Sequence, residues 1–240
     1  MNDWKQAFTL AKFELKISVV NILISWFVMT FFSMSFFTSF SKYLEKSYYG
    51  FDIFFILGLS FGPLLFRSKH YQYQKFGDDF YASPTYIMMN KLPIPKKVLA
   101  LSRLLITFIY VLPFMVTVFP LMYLTIPVVS EVMDVSAFIA FFIIWLLIVL
   151  ILGMTLPASD PGDRLTWGIV ALYFVGAWLA IVTFSGLFHH FTGSGFVAWT
   201  IKLANDWAIP TIAIAIILFI ISWRFWLYQM VKKTKKLDYF

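Results

Sequence analysis

The residue types that most often carry chemistry are few in this chain and form no recognisable catalytic set. Asp160 and Asp163 stand beside Arg164 in a Pro-Gly segment, where paired carboxylates serve more often as turn and cap residues than as acid and base. Ser194 lies between two glycines, but the G-x-S-x-G pattern of a nucleophile elbow would require glycine in place of Thr192. A membrane-embedded enzyme therefore stands only as an alternative.

Metal and nucleotide sites have no better support in the sequence. His189 and His190 are adjacent, so they do not share a helix face, and no third ligand type clusters near them. We interpret them as polar anchors at a membrane interface and predict no metal site. The chain has no cysteine, which excludes thiolate sites and a cysteine nucleophile, and it has no G-x-x-x-x-G-K-[ST] nucleotide loop. Uphill transport would therefore need energy from another chain.

The composition indicates a membrane protein. Of 240 residues, 61% are hydrophobic, 21% are aromatic and only 13% are charged, whereas about a quarter of the residues of a soluble domain are charged. A soluble chain with this many aromatic side chains would expose larger apolar patches than monomers tolerate. The net charge of +7 is explained by cytoplasmic loops rich in Lys and Arg, and no nucleic-acid motif is present.

Six apolar segments are long enough to cross a bilayer, because about 20 helical residues span about 30 Å of hydrocarbon. They are apolar on all sides and do not alternate as the strands of a membrane barrel would. The sequence therefore predicts an all-α polytopic membrane protein. The predicted spans are about 17–40, 49–66, 104–129, 135–156, 165–184 and 207–226, within a single domain of residues 17–240.

The distribution of Lys and Arg predicts the orientation. With the N-terminus in the cytoplasm, all nineteen basic residues fall on the cytoplasmic side except Lys42, Lys46 and Lys202. The opposite orientation would reverse this ratio, so both termini are predicted to be cytoplasmic. No cleavage site of small residues follows the first apolar segment, and we expect that segment to stay attached.

Residues 1–16 are predicted to form an amphipathic helix in the headgroup plane, separate from the first span. The alternative is that this segment simply begins the first span. An apolar stripe lies beside a basic cluster when the segment is helical. The stripe consists of Trp4, Phe8, Ala11 and Leu15, and the cluster of Lys5, Lys12 and Lys16.

The cytoplasmic loop 67–103 is too long for a simple connection. Asp78 or Asp79 is predicted to cap a short helix that carries Tyr81 and Tyr86. We interpret the loop as a docking surface for a partner. The alternative is a lysine-rich loop that lies on anionic lipid.

On the predicted outer side, residues 185–206 alternate glycines with apolar residues. The segment lacks 20 uninterrupted apolar residues, so it predicts one or two short re-entrant helices that dip into the outer interface.

Span three contains Pro113, Pro120 and Pro127, which recur every seven residues and are predicted to bend the helix. These prolines either have a role in conformational change or have no function beyond being tolerated, as prolines in membrane helices often are. No ionisable residue is predicted at mid-span, and Asp52 and Arg224 are expected to reach the interface from the span ends. This absence disfavours a proton- or ion-coupled carrier.

The layout resembles that of the ABC-2 type permeases, the membrane subunits of bacterial ATP-binding-cassette exporters, over the whole chain. Residues 91–100, with the sequence Lys-Leu-Pro-Ile-Pro-Lys-Lys-Val-Leu-Ala, resemble the family stretch L-P-[IV]-x-[RK]-x-x-[IV] that leads into span three. Residues 75–79 are similar to the acidic, glycine-containing segment that precedes it. The family has a connecting helix, six membrane helices, a coupling helix between spans two and three, and re-entrant helices before span six.

This resemblance implies a multi-pass permease of the bacterial cytoplasmic membrane. It would pair with a second permease copy or a related permease and be driven by a separate cytoplasmic ATPase that holds ATP and Mg²⁺. This chain itself would bind no cofactor. Members of this size include exporters of amphipathic or antimicrobial peptides, among them the phenol-soluble modulin exporters, so an amphiphilic substrate is expected. The residues assigned to ATPase coupling are Phe80, Tyr81, Tyr86, Leu92, Pro93, Lys96 and Lys97.

Span one offers aromatic and hydroxyl side chains for a substrate path, with Phe27, Phe31 and Ser33 as candidates. The alternative is that the small hydroxyl residues pack helices together while the phenylalanines face lipid. A third function class also remains, a non-transporting assembly or immunity subunit.

Overall fold

The structure is a computed structural model that describes residues 2–46, 48–76 and 79–236. This part of the chain forms a helical bundle with a small sheet at one end. The helices are α1 (Asp3–Phe37), α2 (Phe40–Lys46), α3 (Tyr49–Leu65), α4 (Pro84–Asn90), α5 (Lys96–Thr125), α6 (Pro127–Val132), α7 (Val135–Gly153), α8 (Thr155–Ala158), α9 (Trp167–Thr192), α10 (Phe196–Asp206) and α11 (Ala208–Lys236). The strands are β1 (Gln74–Phe76), β2 (Phe80–Ala82) and β3 (Asp163–Arg164), and Lys69–Tyr71 forms a 3-10 turn.

Five segments of the described chain are long and apolar enough to cross a membrane. They are α1, α5, the continuous segment Val135–Ala158 formed by α7 and α8, α9, and α11. The chain is therefore a helical, multi-pass membrane protein. The second predicted span corresponds to α3, which has 17 residues and reaches about 26 Å at about 1.5 Å per residue. Helix α3 is therefore shorter than each of the five segments that are long enough to be candidate membrane spans.

Helix α1 runs without interruption from Asp3 to Phe37. The prediction of a separate helix over residues 1–16 is therefore wrong. The sequence contains no Gly or Pro between these ends, so nothing in the backbone favours a break at the membrane boundary. At 35 residues the helix is about 52 Å long, and its first turns extend beyond about 30 Å of hydrocarbon.

Helix α1 packs chiefly against α5. The buried face of α1 is made largely of small side chains, which let two helix backbones approach closely within a membrane. These residues are Ala7, Ala11, Ser18, Ser25 and Ser33. Ser25 also donates a hydrogen bond of 2.7 Å to the backbone carbonyl of Pro63 near the end of α3.

Both ends of the described chain lie at the same end of the bundle, called here the terminal end. Asp3 forms an ion pair with Lys97 at 3.0 Å, and Trp4 stacks on Trp223 with ring centroids 5.9 Å apart. The sheet and α4 also lie here. Helices α2, α6 and α10 lie at the opposite end, where the Asn205 amide donates to the carbonyl of Val132 at 3.2 Å.

The small sheet at the terminal end is antiparallel, in the order β1-β2-β3. In its register Lys75 pairs with Tyr81, and Tyr81 pairs with Asp163. Gly162 has φ +98°, and a Cβ there would lie 2.6 Å from the carbonyl oxygen of Tyr81, so the turn into β3 requires glycine. The all-α prediction missed this sheet because strands of two or three residues leave no alternating pattern.

Two helix boundaries also differ from the predictions. Helix α5 ends at Thr125, and Pro127 is the first residue of α6, so Pro127 does not bend span three. The extended backbone of Ile126 is the conformation that a following proline favours. Helix α9 continues to Thr192 through Gly186, and α10 is the one short helix that the predicted re-entrant segment 185–206 contributes.

Candidate functional site

Four charged side chains form a buried cluster near the terminal end. Glu14 comes from α1, Arg67 follows α3, Arg103 lies two turns into α5, and Asp160 follows α8. Each side chain is at most 4% exposed. The cluster therefore joins four segments that are far apart in the sequence.

The cluster is a chain of ion pairs. Arg103 pairs with one oxygen of Glu14, and Arg67 lies 3.5 Å from the other oxygen of Glu14. Arg67 also donates to both carboxylate oxygens of Asp160, at 3.3 and 3.0 Å. The Arg103 guanidinium lies 5.3 Å from the ring centroid of Tyr71. Two positive and two negative charges leave the cluster with no net charge.

Electrostatics explains how these charges tolerate burial. Burial alone would lower the pKa of Arg67, but the neighbouring Asp160 and Glu14 carboxylates raise it above its ordinary value. Arg67 therefore stays charged, and its bidentate contact with Asp160 is the strong form of such a pair. Removal of one partner would leave an uncompensated buried charge, which is strongly destabilising.

Sequence reasoning missed this cluster. It placed Glu14 in an interfacial helix and Arg103 in a loop, whereas Glu14 lies in the 35-residue α1 and Arg103 in the 30-residue α5. The available signal was the presence of opposite charges at the boundaries of consecutive apolar segments. Charged residues there are rarely fully buried unless they are paired.

Helix α4 occupies the centre of the predicted coupling loop. It begins at Pro84 after the N-cap residue Ser83, because proline fits the first helical position. The predicted cap is wrong for Asp79, which lies before β2. Its backbone carbonyl accepts a hydrogen bond from Leu165 N–H at 2.7 Å. Asp78 lies outside the described residues.

Tyr86 is fully buried on the inner face of α4, and its hydroxyl lies 2.6 Å from Thr234 Oγ1 on α11. Burial raises the pKa of Tyr86. The prediction that Tyr86 is an aromatic anchor for the partner is therefore wrong, because its ring already packs inside this chain. The face of a helix this short could not be predicted once its first residue was misplaced.

The other predicted coupling residues fall into two groups. Phe80 and Tyr81 are half-buried in β2, and the Tyr81 ring stacks on Tyr73 at 5.8 Å, so Tyr81 is not on a helix. The second group follows α4. Leu92 and Pro93 are exposed, while Lys96 and Lys97 begin α5. Lys96 donates to the side-chain oxygen of Asn90.

An exposed apolar patch surrounds the end of α4. Met88 is 70% exposed and Leu92 is 55% exposed, four residues apart in the sequence. Pro93 and Lys91 beside them are also exposed. We call these four residues the α4 patch. Met88 is not among the predicted coupling residues, although it lies in the predicted segment.

The α4 patch is connected to the buried charge cluster through the backbone. Ser83 N–H donates to the carbonyl of Asp160 at 3.1 Å, and the Asp160 side chain pairs with Arg67. On the other side, Tyr86 contacts Thr234 of α11. A displacement of α4 would therefore act on α11 and on the segments that the cluster joins.

At the opposite end, Asp52 is fully buried and does not reach towards the interface as predicted. Its carboxylate accepts hydrogen bonds from the Tyr43 hydroxyl at 2.7 Å and from the Val197 N–H at 2.9 Å. The Tyr43 hydroxyl oxygen in turn accepts from the Ala198 N–H at 3.0 Å. These contacts satisfy N–H groups in the first turn of α10.

Gly195 precedes α10 at the point of closest approach. A Cβ at this position would lie 2.6 Å from the second Asp52 oxygen. Glycine therefore permits the carboxylate to reach the helix end. We call Asp52, Tyr43 and the first turn of α10 the α10 cap.

The predicted substrate-path residues do not share a surface. Ser33 is fully buried, whereas Phe27 and Phe31 are 73% and 71% exposed. Pro113 and Pro120 lie inside α5. Trp26 of α1 donates to Thr117 of α5 at 3.2 Å, between the two prolines in sequence.

No three His, Asp or Glu side chains come together as a metal site among residues 2–46, 48–76 and 79–236. The chain matches no protein-family model, no curated protein and no solved structure. The geometry of its own residues is therefore the basis for a functional proposal.

Proposed function

We propose that this chain is the permease subunit of an ATP-binding-cassette exporter, driven by a separate ATPase that docks on the α4 patch. The observation that carries the proposal is the arrangement of α4. The outer side of α4 exposes Met88 and the turn after α4 exposes Leu92, while the inner side of α4 contacts α11 through Tyr86. A partner that moves α4 would therefore move the bundle as well.

The buried charge cluster supports this mechanism. Its ion pairs connect α1, α5 and the segments after α3 and α8 at the same end of the bundle. A push on α4 reaches Asp160 through the Ser83 hydrogen bond. The ion pairs of the cluster then transmit the displacement to α1 and α5, which move together. The proposed substrate is an amphiphile, such as a peptide. ATP and Mg²⁺ belong to the ATPase.

The proposed topology has six spans, with α3 as the second and with both termini in the cytoplasm of a bacterium. It is supported by the basic residues, of which all but Lys42, Lys46 and Lys202 lie in the segments nearer the terminal end. The natural absence of cysteine allows a direct test. Lys42→Cys should react with a membrane-impermeant maleimide in intact cells, and Lys96→Cys should react only after lysis. Labelling of position 96 in intact cells would contradict the topology.

The coupling test begins with the tagged full chain, purified from its native membrane together with any ATP-binding-cassette ATPase. Met88→Ser with Leu92→Ser should then weaken ATPase binding by about 2 to 4 kcal/mol, because full burial of a Met or Leu side chain contributes about 1.5 to 3 kcal/mol and an interface would bury both in part. The matched control exchanges the pair as Met88→Leu with Leu92→Met, which keeps the patch apolar and should retain binding. Binding is measured by co-purification, and coupling by ATP turnover in liposomes.

The outcomes separate the function classes. An ATPase that binds and turns over ATP in response to an amphiphilic peptide supports the exporter. Failure of any ATPase to co-purify would contradict it and favour a membrane enzyme or an assembly or immunity subunit. Full binding by the double serine variant would contradict the α4 patch as the docking surface.

A further inference from the structure

The outer surface of the bundle carries an open cleft between α1, α5 and α11 near the terminal end. Its deeper part has a volume of about 490 Å³ and is lined mainly by apolar side chains, with Lys97 and Arg224 as its charged residues. The wall includes Trp4 of α1, Leu105 and Phe108 of α5, and Phe219, Ile220 and Trp223 of α11.

Aromatic contacts fix the wall of this cleft. Trp4 stacks on Trp223, and Phe108 meets Phe219 and Trp223 edge-on at 5.9 and 5.7 Å. Since tryptophan favours the boundary between hydrocarbon and headgroups, this stack marks the depth of that boundary. The residues deeper than Trp223 then lie at the level of the acyl chains.

A second, basic cleft continues the first towards the terminal end. It has a volume of about 520 Å³ and shares Lys97, Arg224 and Leu227 with the deeper part. Lys96 and Lys235 also line it. The continuous cleft is thus apolar towards the bundle centre and cationic towards the headgroup level.

The positive charge of the upper cleft is only partly compensated. Lys97 pairs with the exposed Asp3 at 3.0 Å, and Lys96 donates to Asn90, which is neutral. In the described ranges 2–46, 48–76 and 79–236, Arg224 and Lys235 form no ion pair. An anion at this position would therefore find unbalanced cations above an apolar channel.

We propose that the cleft binds an anionic phospholipid of the surrounding leaflet. The phosphate lies between Lys97 and Arg224, and one acyl chain follows Leu105, Phe108 and Phe219. Basic pockets between transmembrane helices hold anionic headgroups in this way. A free phosphate would use only the upper cleft and would leave the apolar channel without an occupant. The inference does not depend on the proposed coupling to an ATPase.

The test uses the full chain, delipidated in neutral detergent and titrated with phosphatidylglycerol, phosphatidylcholine or inorganic phosphate. Native mass spectrometry counts the bound lipid, and the thermal unfolding midpoint reports stabilisation. Wild type should bind phosphatidylglycerol in preference to phosphatidylcholine. Lys97→Gln with Arg224→Gln should weaken that binding about 10- to 30-fold, because each basic residue near a charged leaflet contributes separately.

A matched control removes two charges from the same end but outside the cleft. Lys69→Gln with Lys75→Gln should bind phosphatidylglycerol as wild type does, since both lysines are exposed elsewhere on that end. A second variant, Leu105→Trp, fills the acyl channel without changing the charge. It should weaken the binding of phosphatidylglycerol and leave the response to inorganic phosphate unchanged. Equal unfolding midpoints without lipid establish that the variants fold.

Three results would overturn the proposal. One is equal affinity for phosphatidylglycerol and phosphatidylcholine, which would mean that the basic residues do not select for the charge of the headgroup. Another is stabilisation by inorganic phosphate as large as that by phosphatidylglycerol, which would identify a site for a free anion. The third is unchanged affinity in the Lys97→Gln, Arg224→Gln variant.

Discussion

The two ends of the bundle bury charge in different ways. At the terminal end, Glu14, Arg67, Arg103 and Asp160 neutralise one another. At the opposite end, the single carboxylate of Asp52 accepts hydrogen bonds from a hydroxyl and a backbone N–H. The first arrangement connects four distant segments, whereas the second positions the start of one helix.

This difference matters for how each region responds to damage. A charge network keeps its members buried only while every partner is present, so one deletion exposes its neighbour to an unfavourable environment. The α10 cap would lose hydrogen bonds but leave no partner charge behind. We therefore expect changes in the cluster to affect the whole bundle and changes in the cap to stay local.

The largest effect is expected for Glu14→Ala. It leaves Arg103 buried without its carboxylate partner, and the free energy of unfolding should fall by about 3 to 5 kcal/mol. Thermal unfolding of the purified chain in detergent, followed by tryptophan fluorescence, measures the loss. A decrease below about 1 kcal/mol would mean that water reaches the cluster and that it is not a dry network.

A double variant sharpens this result. Glu14→Gln with Arg103→Met removes one charge of each sign and leaves the Arg67 to Asp160 pair in place. It should cost less than Glu14→Ala alone, because no buried charge remains unpaired. A cost equal to the sum of the two single changes would indicate that the residues act independently.

An intermediate effect is expected for Asp52→Ala. It removes the acceptor of the Tyr43 hydroxyl and the Val197 N–H, with an expected loss of about 1 to 3 kcal/mol. Hydrogen exchange should accelerate at Val197 and Ala198, while amides around Asp160 keep their protection. Faster exchange at both ends would contradict a local cap.

A smaller effect is expected for Tyr86→Phe, which keeps the buried ring and removes only its contact with Thr234. The free energy of unfolding should fall by about 0.5 to 1.5 kcal/mol. Thermal unfolding measures this loss, and co-purification of the ATPase should be unchanged. Reduced binding of the partner would show that the hydroxyl positions the α4 patch.

The smallest effect is expected for Lys97→Ala, measured by thermal unfolding in detergent free of anionic lipid. Lys97 and Asp3 are 60% and 44% exposed, and an exposed pair contributes about 0 to 1 kcal/mol. Lys97→Ala and Glu14→Ala each remove one partner of an ion pair, but the first pair is exposed to solvent and the second is buried. A loss as large as that of Glu14→Ala would remove the contrast between buried and exposed pairs.

The long apolar segments could be predicted from the sequence because they depend on composition alone. A membrane-spanning helix forms its backbone hydrogen bonds within its own segment, so an apolar stretch of sufficient length is enough to identify it. The segments that became α1, α5, α7, α9 and α11 were identified in this way. The short span α3 is harder, because its 17 residues lie at the lower limit of the length that crosses a bilayer.

The faces and partners of the polar residues were decided only by tertiary structure. Tyr86 belongs to the core because α11 brings Thr234 against it, across a long sequence separation. Asp52 is buried because α10 presents unsatisfied N–H groups to it. Hydropathy ranks each residue by its own chemistry and contains no information about a partner that arrives from another helix. The sequence by itself thus determined that the chain lies in a membrane, and packing decided which of its polar residues point inward and which remain available to a partner.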